Sequence, residues 1–219
     1  MNRNREIIVK GIGKSSIAPD LIIIEMRLET IDLQYEKTMK NASELIEILR
    51  SAVISVGHDG DELKTTQFNI DTKYERYKVK EEWKERFIGY SCLHKLKLEF
   101  NLNMSILGAT MNAISKCNAK PKFQIKFSIK DPTEVSEKLL INAIENARIK
   151  ANILSESAGV KLGKIVRIDY NWSELHMYSN IDMDMEDAEY CYLSEDINIT
   201  PDNINVKDSA TIVWEIDDL

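Results

Sequence analysis

From Asp131 to Gly159 the chain reads DPTEVSEKLLINAIENARIKANILSESAG, and this segment limits the fold more than any other. Asp131 suits a helix N-cap, Pro132 suits the first turn, and Glu134 stands where a capping box needs it. Val135, Leu139, Ala143, Ala147, Ala151, Leu154 and Ala158 then recur at helical steps, on what reads as the inward face. Three alanines four residues apart make a smooth stripe, so this helix is expected to lie close against a sheet. Gly159 supplies its C-cap. Gly163 is then expected to permit a tight entry into the next strand, in which Val166, Ile168, Tyr170 and Trp172 share one face. A phosphate-cradling glycine loop follows a strand and precedes a helix, and here the order is reversed. The stretch SAGVKLGKIVRIDYNW reads as a folding joint.

Two hydrophobic periods alternate along the rest of the chain. EIIVKGIGKSS reads as a strand that runs into a turn. PDLIIIEMRLET alternates, with Ile22, Ile24, Met26 and Leu28 on one face, and the two strands are expected to form a hairpin. From Gln34 to Val56 the period becomes helical, with Met39, Ala42, Leu45, Ile46, Leu49, Val53 and Val56 inward and Gly57 ending the helix. LKTTQFNID is a short strand and FIGYSCLHKLKLEFN a long one, whose alternate positions carry Ile88, Tyr90, Cys92, His94, Leu96, Leu98 and Phe100. Between them TKYERYKVKEEWKER is dense in charge and aromatic residues. It reads as a projecting hairpin at 72–86. A second helix follows, with Ile106, Leu107, Met111, Ile114 and Cys117 inward. PKFQIKFSIKD is a strand showing Phe123, Ile125, Phe127 and Ile129 on one side, and VKDSATIVWEI closes the chain as another.

The order from Pro19 to Lys130 is strand–helix–strand–strand–helix–strand, that of a ferredoxin-like unit. The sequence therefore predicts one α+β domain over 1–219. In it, helices pack on one face of a mostly antiparallel sheet, with the hairpin projecting and an acidic flexible loop at 174–200.

Composition narrows the functional classes. The formal charge of −7, without a basic stripe of interleaved aromatics, argues against a nucleic-acid partner. EIIVKGIG is too short and too broken for a signal peptide, and no apolar run approaches the roughly 20 residues of a membrane helix. A cytoplasmic location without membrane insertion is the expectation. Cys92, Cys117 and Cys191 are odd in number and widely spaced, which predicts reduced thiols. Cys92 and Cys117 sit in apolar patterns, while carboxylates near Cys191 would raise its thiol pKa.

Candidate chemistry is thin. Asp182, Asp184, Glu186 and Asp187 offer hard oxygen ligands, but the glycine and the spaced glutamate of a calcium loop are not in register. Met177, Met183 and Met185 offer soft sulfur without suitably spaced His or Cys. His58 follows a helix-ending glycine, a place where its charge suits the helix dipole. His94 reads as a satisfied core or interface histidine, and His176 adjoins the acidic loop. No nucleophile–base set can be assembled. No catalytic, cofactor-binding or metal residue is assigned.

The chain resembles the SIMPL-domain family, found widely in bacteria and in animals as a kinase-associated signalling protein. IIVKGIGKSSIAPDLIII, FIGYSCLHKLKLEF, PKFQIKFSIKDPTE, AIENARIKANILSESAGVKLGKIVRIDY and ITPDNINVKDSATIVWEI carry the resemblance over nearly the whole chain. It implies a protein without established enzymatic activity. It also implies relatives that are often exported, sometimes associated with oxidative-stress tolerance, and in some cases assembled into large rings. The charged hairpin, the acidic loop and the absent export signal are departures from that pattern. The expectation is a non-catalytic, self-assembling binding or scaffold protein, a homo-oligomer with a role in stress and open to a protein partner. The alternative is a small-ligand- or metal-dependent activity near 177–196.

Overall fold

The computed structural model describes residues 5–79, 82–170, 177–181 and 200–218. They belong to two compact units. One is Asp20–Ser128 with Asn180–Pro201, and the other is Met1–Pro19, Ile129–Ser179 and Asp202–Leu219.

The first of these contains β2 (Leu21–Asp32), α1 (Tyr35–Ile54), β3 (Lys64–Val79), β4 (Glu82–Asn101), α2 (Met104–Lys116) and β5 (Lys122–Ser128). The sheet order is β3-β4-β2-β5, with β7 (Tyr178–Ile181), which enters this unit at Asn180, beyond β5. β2 pairs antiparallel with β4 on one side and β5 on the other, and β3 pairs antiparallel with β4. This order is compatible with the predicted ferredoxin-like unit. Alternation decides which side of the sheet is covered. Ile22, Ile24, Met26 and Leu28 are all buried, together with Leu96 and Leu98 of β4 and Ile125 and Phe127 of β5. Leu49 and Val53 of α1 and Leu107, Met111 and Ile114 of α2 pack on this apolar face. Each such side chain contributes about 1.5–3 kcal/mol of burial, which outweighs helix propensity. In α2 the inward position expected for Ile106 goes to Thr110, whose hydroxyl donates to the Ile106 carbonyl at 2.7 Å. α1 ends as the sequence predicts, with Gly57 at φ +101°.

The other unit contains β1 (Glu6–Ile17), α3 (Pro132–Ser157), β6 (Val160–Tyr170) and β8 (Ile204–Asp218), in a three-stranded sheet ordered β1-β8-β6. The expected β1–β2 hairpin does not form. β1 pairs along its whole length with β8, which sets Val9 opposite Ile212 and Ile7 opposite Trp214, while both edges of β2 are taken by β4 and β5. The connection through Ala18 and Pro19 has no two-residue hairpin turn to override that longer match.

Asp131 caps α3 by accepting from the Thr133 amide at 3.0 Å, and Pro132 occupies the first turn. Glu134, placed for a capping box, instead binds Lys138 at 2.6 Å. The buried face runs Val135, Leu139, Ala143, Ala147, Ala151 and then Ser155, not Leu154, which is 48% exposed. Ser155, four residues beyond Ala151, keeps the four-residue step of the stripe to the end of the helix. Gly159 follows the helix at φ +68°. Gly163 lies inside β6, where an irregular register separates Leu162 from Ile165, not at the mouth of the strand. Val166 and Ile168 are about half exposed, because β6 is an edge of this sheet.

Candidate functional site

β3 and β4 run on beyond the helix-covered part of their sheet as a two-stranded ribbon, in register from Tyr74 opposite Phe87 to Val79 opposite Glu82. Its root is a bulge. Between the pairs Lys73–Gly89 and Tyr74–Phe87, residue Ile88 has no opposite number. Gly89 there has φ +140°, and a β-carbon on it would stand 2.4 Å from the Asp32 carbonyl oxygen. Both conditions select glycine. The Thr38 hydroxyl reaches the Tyr90 carbonyl at 3.2 Å, which ties the first turn of α1 to the same place.

The ribbon's side chains are ordered by the strand period. Tyr74 and Phe87 meet edge to face at 5.6 Å, Phe87 meets Tyr90 at 5.4 Å, and Tyr90 meets Tyr35 at 5.6 Å. Each such contact adds about 0.5–1.5 kcal/mol beyond burial. Further out, the cross-strand partners Glu75 and Arg86, and Arg76 and Glu85, form ion pairs at 2.6 Å each. Arg86 also lies over the Tyr77 ring at 5.7 Å. Trp83 lies beyond these contacts. Opposite Lys78 and 70% exposed, it makes no ring contact among the described residues. Of the ribbon's aromatics, Tyr74 thus packs on a neighbouring ring and Trp83 does not among the described residues.

The other sequence candidates resolve individually. His58 is packed on Phe100 at 4.8 Å, with Nε2 2.7 Å from the Thr110 hydroxyl, so it joins the end of α1 to α2. His94 is 6% exposed; Nε2 is 2.7 Å from the Thr65 hydroxyl and the Phe68 ring stands edge-on at 5.0 Å. Its Nδ1 has no partner among the described residues, so the expected satisfied histidine is satisfied at one nitrogen only. Burial holds its pKa below the usual value and keeps the ring neutral. Cys92 and Cys117 are free thiols, and burial pushes the Cys92 thiol up despite a hydrogen bond with Thr30. Met177 is buried in an apolar cluster with Leu139 and Ile204. Asp182, Asp184, Glu186, Asp187, Met183, Met185, His176, Cys191 and Trp172 lie outside the described residues. Among the described residues no group of three or more His, Cys, Asp or Glu could hold a metal ion. No helix there is long and apolar enough to cross a membrane.

The family model described as SIMPL, protein of unknown function (DUF541), matches residues 7–214. The chain belongs to the SIMPL family. The match runs from β1 into β8 and so takes in both compact units. No curated protein matches the chain. SIMPL membership brings no catalytic residue with it, since the family's function is itself unknown, and the geometry has to carry the functional reading.

Proposed function

We propose that this SIMPL protein is a non-catalytic binding or scaffold protein that assembles with copies of itself, the ribbon being one contact surface. The observation that carries the reading is Trp83, a large ring held 70% exposed at the end of a ribbon whose inner part, from Tyr74 to Tyr77 and from Glu85 to Phe87, is tied by ion pairs and ring contacts. An exposed aromatic anchor paired across the ribbon with Lys78, in a segment dense in charge, has the composition of an interface centre with a polar rim. A second surface supports the same reading. α3 buries one face and exposes Ile141, Ile149 and Ile153 on another, at 55%, 58% and 57%. Ile149 and Ile153 lie one turn apart on the helix surface, and exposed apolar surface of this kind suits a contact site. Light scattering on the full chain tests the reading, with an oligomeric mass expected. Trp83→Ala is expected to lower that mass with an unchanged melting curve. A monomeric wild-type chain at tens of micromolar would overturn it.

A further inference from the structure

Among the described residues, the face of the five-stranded sheet opposite α1 and α2 carries three cations in one row. Arg27 of β2 stands directly opposite Lys95 of β4 on one side and Lys122 of β5 on the other. Strands lie about 4.8 Å apart, so the row places three positive charges within about 10 Å. Like charges set directly opposite destabilise a sheet. In a chain with a formal charge of −7, carboxylates would be the expected neighbours.

Among the described residues, the carboxylates beside the row, Glu25 and Glu29, each already hold a lysine. Glu25 accepts from Lys126 Nζ at 2.7 Å and from Gln124 Nε2 at 2.5 Å. Glu29 Oε1 accepts from Lys73 Nζ at 2.8 Å and from the Ser91 hydroxyl at 3.2 Å, and its Oε2 accepts from Arg27 at a long 3.4 Å. Among the described residues Lys95 and Lys122 form no ion pair. The row is also concave. Arg27, Lys95, Lys122 and Thr66 line a hollow of about 290 Å³, with Glu25 and Gln124 along one side. Thr66 is the extra residue of a bulge in β3, between Thr65 opposite Leu96 and Gln67 opposite Lys95. A bulge re-aims a side chain that regular pairing would not place there.

We propose that Lys95, Arg27 and Lys122 form a binding site for a small polyanion carrying phosphate-type groups. The guanidinium of Arg27 supplies a planar fork that matches two oxygens of one such group. Lys95 and Lys122 flank it as point charges, and the Thr66 hydroxyl adds a neutral hydrogen bond. Three adjacent cations suit a ligand with several charges better than a lone carboxylate. The strip is one row deep, because Glu25 and Glu29 lie on either side of Arg27 along β2. That confines the ligand to a compact anion and leaves no track for a nucleic-acid backbone.

The test titrates the full chain with inorganic pyrophosphate and tripolyphosphate by calorimetry, at constant ionic strength set with sodium chloride. Saturable one-site binding is expected, tighter for tripolyphosphate and weakening with salt. Arg27→Gln, Lys95→Gln and Lys122→Gln should each weaken it about tenfold. Lys14→Gln, on β1, should leave it unchanged. The site also predicts a stability signature: without anion, Lys95→Gln and Lys122→Gln should melt at or above the wild-type temperature, since they relieve repulsion. Should Arg27→Gln fail to fold, the two lysine variants decide the matter alone. Absence of saturable binding, an equal loss in Lys14→Gln, or tighter binding of a single-stranded oligonucleotide than of tripolyphosphate would overturn the proposal.

Discussion

A β-carbon added to Gly11 would stand 1.9 Å from the carbonyl oxygen of Ala143, and one added to Gly13 would stand 1.9 Å from that of Leu139. Strand β1 and helix α3 therefore meet backbone to backbone, with glycines on one side and the Ala143, Ala147 and Ala151 stripe on the other. Close approach lets α3 also serve the free edge of β1. Asn146 Oδ1 accepts from the Ile12 amide at 3.1 Å, and Lys150 Nζ donates to the Lys10 carbonyl at 3.2 Å. An edge strand covered in this way is a poor template for unwanted pairing.

Gly11→Ala should accordingly destabilise the protein by about 3 kcal/mol or more, at the upper end for overpacking. The atom it meets belongs to helix backbone, which cannot rotate aside as a side chain can. Denaturant unfolding measures the effect; a loss under about 1 kcal/mol would mean that α3 slides freely over β1.

Two other glycines separate conformational strain from collision. Gly159 has φ +68° with nothing within 4 Å of an added β-carbon, so Gly159→Ala should cost only about 1 kcal/mol. Gly89 combines φ +140° with a 2.4 Å approach to the Asp32 carbonyl. Gly89→Ala should cost more than Gly159→Ala, about 1–3 kcal/mol from the backbone alone. It should also speed amide exchange around Tyr74 and Phe87, since the bulge sets the ribbon's register. Equal melting shifts for the two variants would contradict this account.

Stability should fall on mild acidification. Burial holds the His94 pKa below the ordinary 6.5, so the unfolded chain binds its proton first as pH drops. The contribution is complete above pH 6.5 and is lost as pH falls from there toward the folded value. His94→Leu should flatten this part of the stability–pH curve, and a persisting slope would assign it to another group. A further acid limb comes from Glu25 and Glu29. For Glu25 burial pushes the pKa up, but hydrogen bonds from Lys126 and Gln124, with the Lys126 and Lys97 charges, hold it below 4.5. For Glu29 the Lys73 hydrogen bond outweighs burial in the same direction. Their contribution is present above about pH 4.5 and is lost as pH falls through the folded values.

What was legible in the sequence is what period alone decides. Ile22, Ile24, Met26 and Leu28 alternate, and they are buried as a row. Pairing partners were not legible, because β8 lies far from β1 in the chain and local adjacency favoured β2. Gly163 misled because order along the chain resembles a joint whether or not its φ is positive, whereas β6 already begins at Val160. Thr110 and Ser155 were missed as inward residues because hydropathy scores their hydroxyls as polar, while helix carbonyls satisfy them at 2.7 and 3.0 Å. The Arg27 row left its trace in KLKLEF and KFQIKF, but opposition across three strands appears only once the register is known.

The assembly surface can be located by two variants that leave both cores intact. Deleting Glu75–Arg86 and joining Tyr74 to Phe87 through Asn-Gly keeps the cross-strand pair that the register defines, the bulge at Gly89 and the ring contacts down to Tyr35. Asn-Gly supplies the positive φ values a two-residue hairpin turn demands. The trimmed chain should melt within a few degrees of wild type, since the removed ion pairs are exposed and each is worth at most about 1 kcal/mol. Its mass by light scattering should fall. Ile149→Glu with Ile153→Glu probes the outer stripe of α3, where both residues are more than half exposed and a charge meets solvent in the free chain. A lower mass in the double variant alone would move the interface from the ribbon to the helix. An unchanged mass in both, with the fold retained, would remove the ribbon and the stripe together as contact surfaces.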